Sequence, residues 1–443
     1  MRIMSMVVLV STLWVGCNGP EPFSTWDLDE SDRRFVSPPH AEAQGAVDAI
    51  LRKEALTLED VLAVADLMNP MLAVERKNID LSTAEIWEAK LYPNPSILFE
   101  VQDYATKEGS LGNSTRTAGV HMPVVVSGRI GAATSLAEKK RDVAAVRYVW
   151  KRRQLLTDVK KAFVSVLAAK RSAELMSETR DLAKTLHDVT HERFKAQAIP
   201  EMELLKAAVQ LATAESDLRL TEKVLAISVK SLHSLMGNVD FPKDKFAGDL
   251  RARFTTPSFE ALRGLVTTLH PLLEAAAKSK EAAELQLSLA KAERIPDIGV
   301  ELSGGKDSSD ESILEGGIEI PFPLFNRNQA KISAAETLIR QADLQIQAVR
   351  NELILQLEAA YREFTAAQDR VVVYKDEILP KAQKALDQTN EGYKLGKFTQ
   401  LEILDSQRTL AEARTAYAAA LHDLNKSAVE LEFITGTKLE PIR

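Results

Sequence analysis

Residues 93–103 read PNPSILFEVQD, and residues 295–305 read IPDIGVELSGG. After the proline, apolar and polar side chains alternate in both segments, which predicts a β-strand with one apolar face. Equivalent landmarks lie 198 to 203 residues apart along the whole chain: Pro70 and Pro271, Pro93 and Pro296, Pro123 and Pro321, Phe194 and Tyr393, Gly237 and Gly436. A near-constant shift indicates a tandem duplication of one structural unit.

Each copy predicts two strands followed by one long helical hairpin. The predicted strands cover about 96–104, 115–122, 297–304 and 313–320, and the hairpins cover about 127–236 and 327–436. A strand of this length is close to the ~9–11 residues that cross a bilayer when tilted. Four strands are too few to close a barrel, and open strand edges cannot lie in lipid. We therefore expect several chains to pool their strands.

The second hairpin opens with a long heptad pattern. From Ile332 to Ile378 apolar residues recur at intervals of three and four, and neither Gly nor Pro interrupts Arg327–Leu379. This pattern predicts a coiled helix, with a kink at Pro380. The first repeat is assigned to 57–237, a linker or equatorial segment to 238–258, the second repeat to 259–436 and a C-terminal tail to 437–443.

The N-terminus has the composition of an export signal. Met1 and Arg2 precede a short apolar run that ends just before Cys17, the only cysteine. We assign 1–16 to a signal peptide and 17–56 to an extended arm, because prolines and charges are scattered through that segment. Cys17 is positioned like the lipidated residue of a bacterial lipoprotein, although an ordinary signal peptide containing an incidental cysteine stays possible.

Composition and motifs exclude several classes of function. The net charge is −7, which argues against nucleic-acid binding. No Walker A loop, dinucleotide-binding glycine motif, GxSxG, HExxH or CxxC occurs in the chain, so we expect neither an enzyme nor a cofactor. His187 and His191 share a helix face and could bind a metal with Asp188 or Glu192, but the sequence supplies no third residue at fixed geometry, and we assign no metal site.

From Thr57 to Gly436 these landmarks resemble the TolC-like outer-membrane efflux protein family, and within it the lipoprotein branch of heavy-metal and drug efflux systems. The resemblance implies a mainly α fold with a membrane β-barrel. Three protomers would share a 12-stranded barrel and a long coiled-coil α-helical barrel in the periplasm. It also implies a homotrimer in outer-membrane lipid that meets a periplasmic adaptor (membrane fusion protein) and an inner-membrane pump.

The resemblance also assigns roles to residues. Glu402, Asp405 and Tyr393 match a gate that narrows the tunnel, although Phe398 replaces the basic residue of the family's closing network. The turns of the two hairpins match the adaptor-contact tips: Lys195, Ala196, Gln197, Ala198, Ile199, Leu395, Gly396, Lys397 and Phe398. Strand alternation places four carboxylates opposite the apolar residues, in the barrel lumen: Glu100, Glu301, Glu315 and Glu319.

The sequence therefore predicts a passive exit duct for small molecules or metal ions, lipid-anchored in the outer membrane. The alternative is a lipid-tethered periplasmic coiled-coil scaffold without a pore. The alternating hairpins favour the duct, because a scaffold has no need of apolar strand faces.

Overall fold

The structure is a computed structural model and describes residues 40–102, 114–242, 245–395 and 397–440, without the side chains of 40–43, 393, 394 and 400. The predicted signal peptide, Cys17, Gly396 and residues 441–443 lie outside the described residues. Among the described residues, 49–440 belong to one compact unit and 40–48 belong to another.

Helix α1 corrects the prediction of an extended arm over 17–56. It spans His40–Leu51. Its sequence, HAEAQGAVDAIL, is rich in alanine and contains no proline, so its helix propensity exceeds that of the proline-containing residues before it. The predicted arm is thus partly helical.

The remaining elements follow the duplication. The first repeat contains α2 (Leu58–Met68), α3 (Pro70–Lys90), β1 (Ser96–Gln102), β2 (Thr115–Val124), α4 (Arg129–Lys195) and α5 (Glu201–Leu235). The second contains α6 (Phe259–Leu269), α7 (Pro271–Ala292), β3 (Ile298–Lys306), β4 (Ser312–Glu319), α8 (Gln329–Val373), a π-helical turn (Tyr374–Ile378), α9 (Leu379–Lys394) and α10 (Gln400–Thr435). At 1.5 Å per residue, α4 is about 100 Å long. No described helix combines the length and apolar character needed to cross a bilayer.

Equivalent capping residues start equivalent helices. Asn69 and His270 each precede a proline at the first helical position, where proline is tolerated. The Asn69 side chain accepts hydrogen bonds from the backbone N–H groups of Met71 and Leu72, and the His270 ring accepts one from Leu272. Two different side chains thus perform the same capping role in the two repeats.

The π-helical turn accommodates Pro380. Proline has no N–H to donate to the preceding turn, and its ring crowds the carbonyl four residues earlier. Here the helix widens over Tyr374–Ile378, and the N–H of Leu379 donates to the carbonyl of Tyr374, five residues back. The helical path continues into α9, so the irregularity predicted at Pro380 takes the form of a π turn.

The heptad pattern of α8 forms the core of the second repeat. Its buried members pack against α6 and α10: Leu353, Leu357, Ala360, Phe364, Ala367 and Val371. From α10 the cluster includes Leu424 and Leu431, and from the linker it includes Phe254. The linker also contacts the first repeat, because the ring of Phe246 lies edge-on to that of Phe163 in α4, with centroids 6.2 Å apart.

Candidate functional site

The four strands form one antiparallel sheet in the order β1-β2-β3-β4, with β1 and β4 as its edges. Register places Ile97 beside Val120, Val120 beside Leu302, and Val300 beside Ile318. These residues lie on one surface, here called the apolar face. Its large side chains are exposed in the single chain: Ile97, Phe99, Val101, Val120, Met122, Val124, Val300, Leu302, Leu314 and Ile318.

The opposite surface, here called the polar face, carries the predicted lumen residues. Glu100, Glu301, Glu315 and Glu319 all occupy register positions on this face. His121 pairs with Glu301 across β2 and β3. The sheet therefore separates an apolar surface from one that carries four carboxylates and an imidazole.

Glycines show how the sheet curves. On the polar face, a Cβ at Gly119 would lie 2.5 Å from the Cβ of Ser303, and one at Gly305 would collide with the carbonyl of Arg116. On the apolar face of β3, the nearest atom to a Cβ at Gly304 would be 3.6 Å away. On β4 the two faces do not differ, because Cβ atoms at Gly316 and Gly317 would each have their nearest atom at 3.9 Å. Side chains converge on the concave side of a bent sheet, and glycine permits that close approach. The polar face is therefore the concave one where β2 meets β3.

The two helical hairpins turn with the same hydrogen bond. The N–H of Ala198 donates to the carbonyl of Arg193 (2.9 Å), and the N–H of Lys397 donates to the carbonyl of Gly392 (2.8 Å). In the first turn Gln197 adopts a left-handed conformation with φ of 57°. Its equivalent by repeat spacing is Gly396, which lies outside the described residues.

The surfaces of the two turns differ. Beside the first turn lies an open groove of about 500 Å³ lined by Asp188, Val189, Glu192, Arg193, Ala196 and Ala198. At the second turn the ring of Phe398 lies directly against Gly392, so that a side chain at residue 392 would displace the ring. Sequence reasoning placed Phe398 in the adaptor-contact tip and noted it as a departure from the family's closing network, but it missed this contact. The glycine six residues earlier was its only signal.

Glu402 stabilises the start of α10, a role that is separate from the one predicted for it at the gate. Its carboxylate accepts hydrogen bonds from the backbone N–H (2.6 Å) and the hydroxyl (2.8 Å) of Thr399. These bonds lower the pKa of Glu402 below its ordinary value. Asp405 lies three residues further along α10, exposed and 4.0 Å from Arg408. The side chain of Tyr393 is not among those described.

Glu402 and Asp405 therefore share a helix face, but one chain does not bring them into a constriction. Thr399 and Glu402 form a capping box, a signal the sequence contains as Thr-x-x-Glu.

Two histidine arrangements resemble reactive sites. The rings of His187 and His191 stack with centroids 6.1 Å apart, yet in the described part of the chain no group of three His, Cys, Asp or Glu residues could hold a metal ion. His422 lies 3.2 Å from the hydroxyl of Ser165, but that hydroxyl already donates to the carbonyl of Lys161. Both residues lie within long helices, whose backbone N–H groups cannot form an oxyanion hole.

Comparison with known proteins decides the family. The model of the family described as "Outer membrane efflux protein" matches residues 62–238 and 264–437, one segment in each repeat. This chain belongs to the outer membrane efflux protein family. The family predicted from the ordered landmarks is thus confirmed, and the two matched segments follow the internal duplication.

Individual relatives agree with the family. The cobalt-zinc-cadmium resistance protein CzcC of Cupriavidus metallidurans is 28% identical over 91% of this chain and 97% of its own length. The outer membrane protein TolC of Vibrio cholerae is 25% identical over 69% of this chain and 72% of its own. The solved structure of CusC has a TM-score of 0.71 at 16% identity, and covers 85% of this chain and 91% of that one. The last comparison shows that the fold is shared.

Proposed function

We propose that this protein is the outer-membrane channel of a tripartite efflux system, a passive exit duct for solutes that an inner-membrane pump and a periplasmic adaptor deliver. The sheet carries the proposal. An exposed apolar face suits contact with lipid, and a concave face with four carboxylates suits a water-filled lumen. A periplasmic scaffold would leave the apolar face in water, where a patch of this size is unfavourable.

The unpaired edges support a ring of identical chains. Helix α5 packs on α4, α4 on α10, and α10 on α8 and α9, so α5 and α8 lie at opposite ends of this row. Both end helices have apolar side chains that the described part of the chain leaves exposed: Leu205, Val209, Leu220, Val224 and Ile227 on α5, and Leu338, Leu344, Leu355 and Val373 on α8. The sheet likewise ends in β1 near α3 and β4 near α8.

We infer that the α5 and β1 edge of one copy packs against the α8 and β4 edge of the next. Such a head-to-tail contact closes into a ring when the rotation per copy allows it. Three copies would give twelve strands, enough for a closed barrel with an aqueous interior. The ring would stand in outer-membrane lipid with its helices in the periplasm, and lipidated Cys17 would anchor each chain.

The helical hairpins supply the residues proposed for gating and for contact with the adaptor. Three-fold symmetry would gather Glu402 and Asp405 of three copies into one acidic ring, whose side chains narrow the tunnel and attract cations. We propose that the adaptor contacts the two turns, 195–199 and 395–398, and that this contact widens the ring. In a trimer the four lumen glutamates would add a second acidic surface, which favours cationic cargo.

We propose metal ions as the cargo, because an acidic lumen favours cations and two relatives are named for metal ions, although a third, OpmQ of Pseudomonas aeruginosa, is named for pyoverdine export. CzcC is named for cobalt, zinc and cadmium, and a second relative, NccC, is named for nickel, cobalt and cadmium. In cells that lack their own outer-membrane channel but retain adaptor and pump, this protein should lower the accumulation of these ions. Reduced accumulation of organic dyes instead, with metal content unchanged, would contradict the metal assignment and leave the duct intact.

The pore itself is tested in planar lipid bilayers. The purified protein should give discrete, cation-selective current steps, and Glu402→Ala with Asp405→Ala should raise the single-channel conductance. Glu363→Ala with Asp369→Ala removes the same charge from α8 and serves as the matched control. If the gate variant gives current steps of unchanged size, these carboxylates are not part of the gate. If the purified wild-type protein gives no current step at all, the duct is refuted.

A further inference from the structure

The four strands end at one level on the side where they join the helices. Ser96 pairs with His121, Pro123 pairs with Gly299, and Gly299 pairs with Glu319. The residues that adjoin these positions include a proline for every strand: Pro95 before β1, Pro123 within β2, Pro296 before β3 and Pro321 after β4. Proline has no N–H, so the ladder can end there without leaving a donor that requires water.

Large apolar side chains are exposed within a few residues of these strand ends. Phe322 is 81% exposed and Phe325 90% exposed, just after β4, and Leu91 and Tyr92 are each 70% exposed before β1. Ile318, Ile320 and Phe322 occupy alternate positions, so the apolar face continues past the end of the strand. A neighbouring copy would add its strand at the sheet edge, in the plane of the sheet, and would leave this face uncovered.

Basic side chains follow immediately on the helix side. Arg129 is paired with Asp297 (2.6 Å), and Lys331 is paired with Glu293 (2.8 Å). Lys90, Arg294 and Arg327 are also exposed, and among the described residues none of the three has a carboxylate within ion-pairing distance.

These three cations adjoin the exposed apolar residues in a chain whose net charge is −7. Apolar and aromatic side chains beside unpaired cations match the boundary between acyl chains and anionic headgroups of a lipid leaflet.

We propose that Leu91, Tyr92, Phe322, Phe325, Lys90, Arg294 and Arg327, here called the girdle, bind phospholipids of the inner leaflet of the outer membrane. The apolar members contact the acyl chains near the glycerol, and the three cations contact headgroup phosphates. This inference rests on the proposed function, because it requires the sheet to span that membrane. It adds a preference for anionic phospholipid that the duct alone does not need.

The charge arm of the test compares two triple variants of the full-length protein in liposomes. Lys90→Gln/Arg294→Gln/Arg327→Gln removes the girdle cations, and Lys375→Gln/Lys384→Gln/Arg350→Gln removes three exposed cations from the helical hairpin. Spin-labelled phosphatidylglycerol and phosphatidylcholine report the lipid held at the protein surface. The wild type and the hairpin variant should prefer phosphatidylglycerol about threefold, and the girdle variant should show almost no preference. Equal preference in all three proteins would overturn the inference.

The depth arm of the test measures how deep a side chain lies in the bilayer, and it does not require the triple variant to fold. Phe322→Trp places an indole in the girdle, and Glu319→Trp places one at nearly the same level on the polar face. Lipids brominated near the glycerol end of the acyl chain should quench the first indole several-fold more than the second. Equal quenching of the two would contradict the assignment. If bilayer currents appear while both arms fail, only the girdle is wrong; if no current appears, the duct itself is wrong.

Discussion

Acidification should weaken the fold through His270. This residue is 3% exposed, and its Nδ1 accepts the N–H of Leu272 (3.2 Å), so the neutral ring carries its proton on Nε2. In the described part of the chain Nε2 has no hydrogen-bond partner. The ring of Trp150 packs against the His270 ring, with their centroids 5.0 Å apart. Burial, and secondarily the charge of Arg153, lower the pKa of His270 from 6.5 to about 4.

The direction follows from proton uptake. A pKa lowered in the folded state means that the unfolded chain binds a proton more readily between pH 6.5 and about 4. The contribution of neutral His270 to the free energy of unfolding is therefore complete above pH 6.5 and is lost as the pH falls toward about 4. At pH 5 the loss is about 2 kcal/mol per chain, and it approaches about 3 kcal/mol at full extent.

The assay isolates this residue from other titrating groups. Asn69 occupies the equivalent capping position and accepts two backbone N–H groups, so His270→Asn should keep the helix cap and remove the titration. Urea unfolding is followed by circular dichroism in detergent at pH 7.5 and pH 5. The wild type should lose about 2 kcal/mol more than the variant between these conditions. An equal loss in both proteins would refute the reasoning about His270.

Three further changes probe the core, the sheet and the turn. Phe364→Ala empties a fully buried site and should cost about 3–5 kcal/mol in urea unfolding, and a loss below about 1 kcal/mol would show that the core collapses around it. Gly305→Val should abolish oligomer formation, measured as native mass in detergent, whereas Gly304→Val, on the uncrowded apolar face of the same strand, should keep it; equal amounts of oligomer in both variants would refute the curvature. Thr399→Val removes a donor that lowers the pKa of Glu402, so the pH at which acidification changes channel conductance should rise. An unchanged midpoint of the pH dependence would show that the hydrogen bond from Thr399 does not influence the gate.

Periodic features of this fold could be read from the sequence. Intervals of three and four put Leu353, Phe364 and Val371 on one side of α8, and the structure buries them there. Strand alternation placed Glu301 and Glu319 opposite the apolar residues, because side chains in a strand point to alternate faces. Such patterns depend only on local geometry, so a single sequence contains them.

Features that depend on contacts between distant residues were not predictable in this way. The packing of Phe398 on Gly392 arises only when the turn closes, and nothing in the spacing distinguishes that glycine from others. His270 looks like an ordinary residue before a proline, and its burial comes from Trp150, more than a hundred positions earlier. The proposed gate could not be tested against one chain in this way, since it would require side chains of other copies.

The most direct test of the account is the native mass of the purified protein in detergent micelles. Each chain supplies four strands with two open edges, so the account predicts a single species with three times the mass of the mature chain. A species with the mass of one chain, stable and monodisperse under the same conditions, would contradict the shared pore.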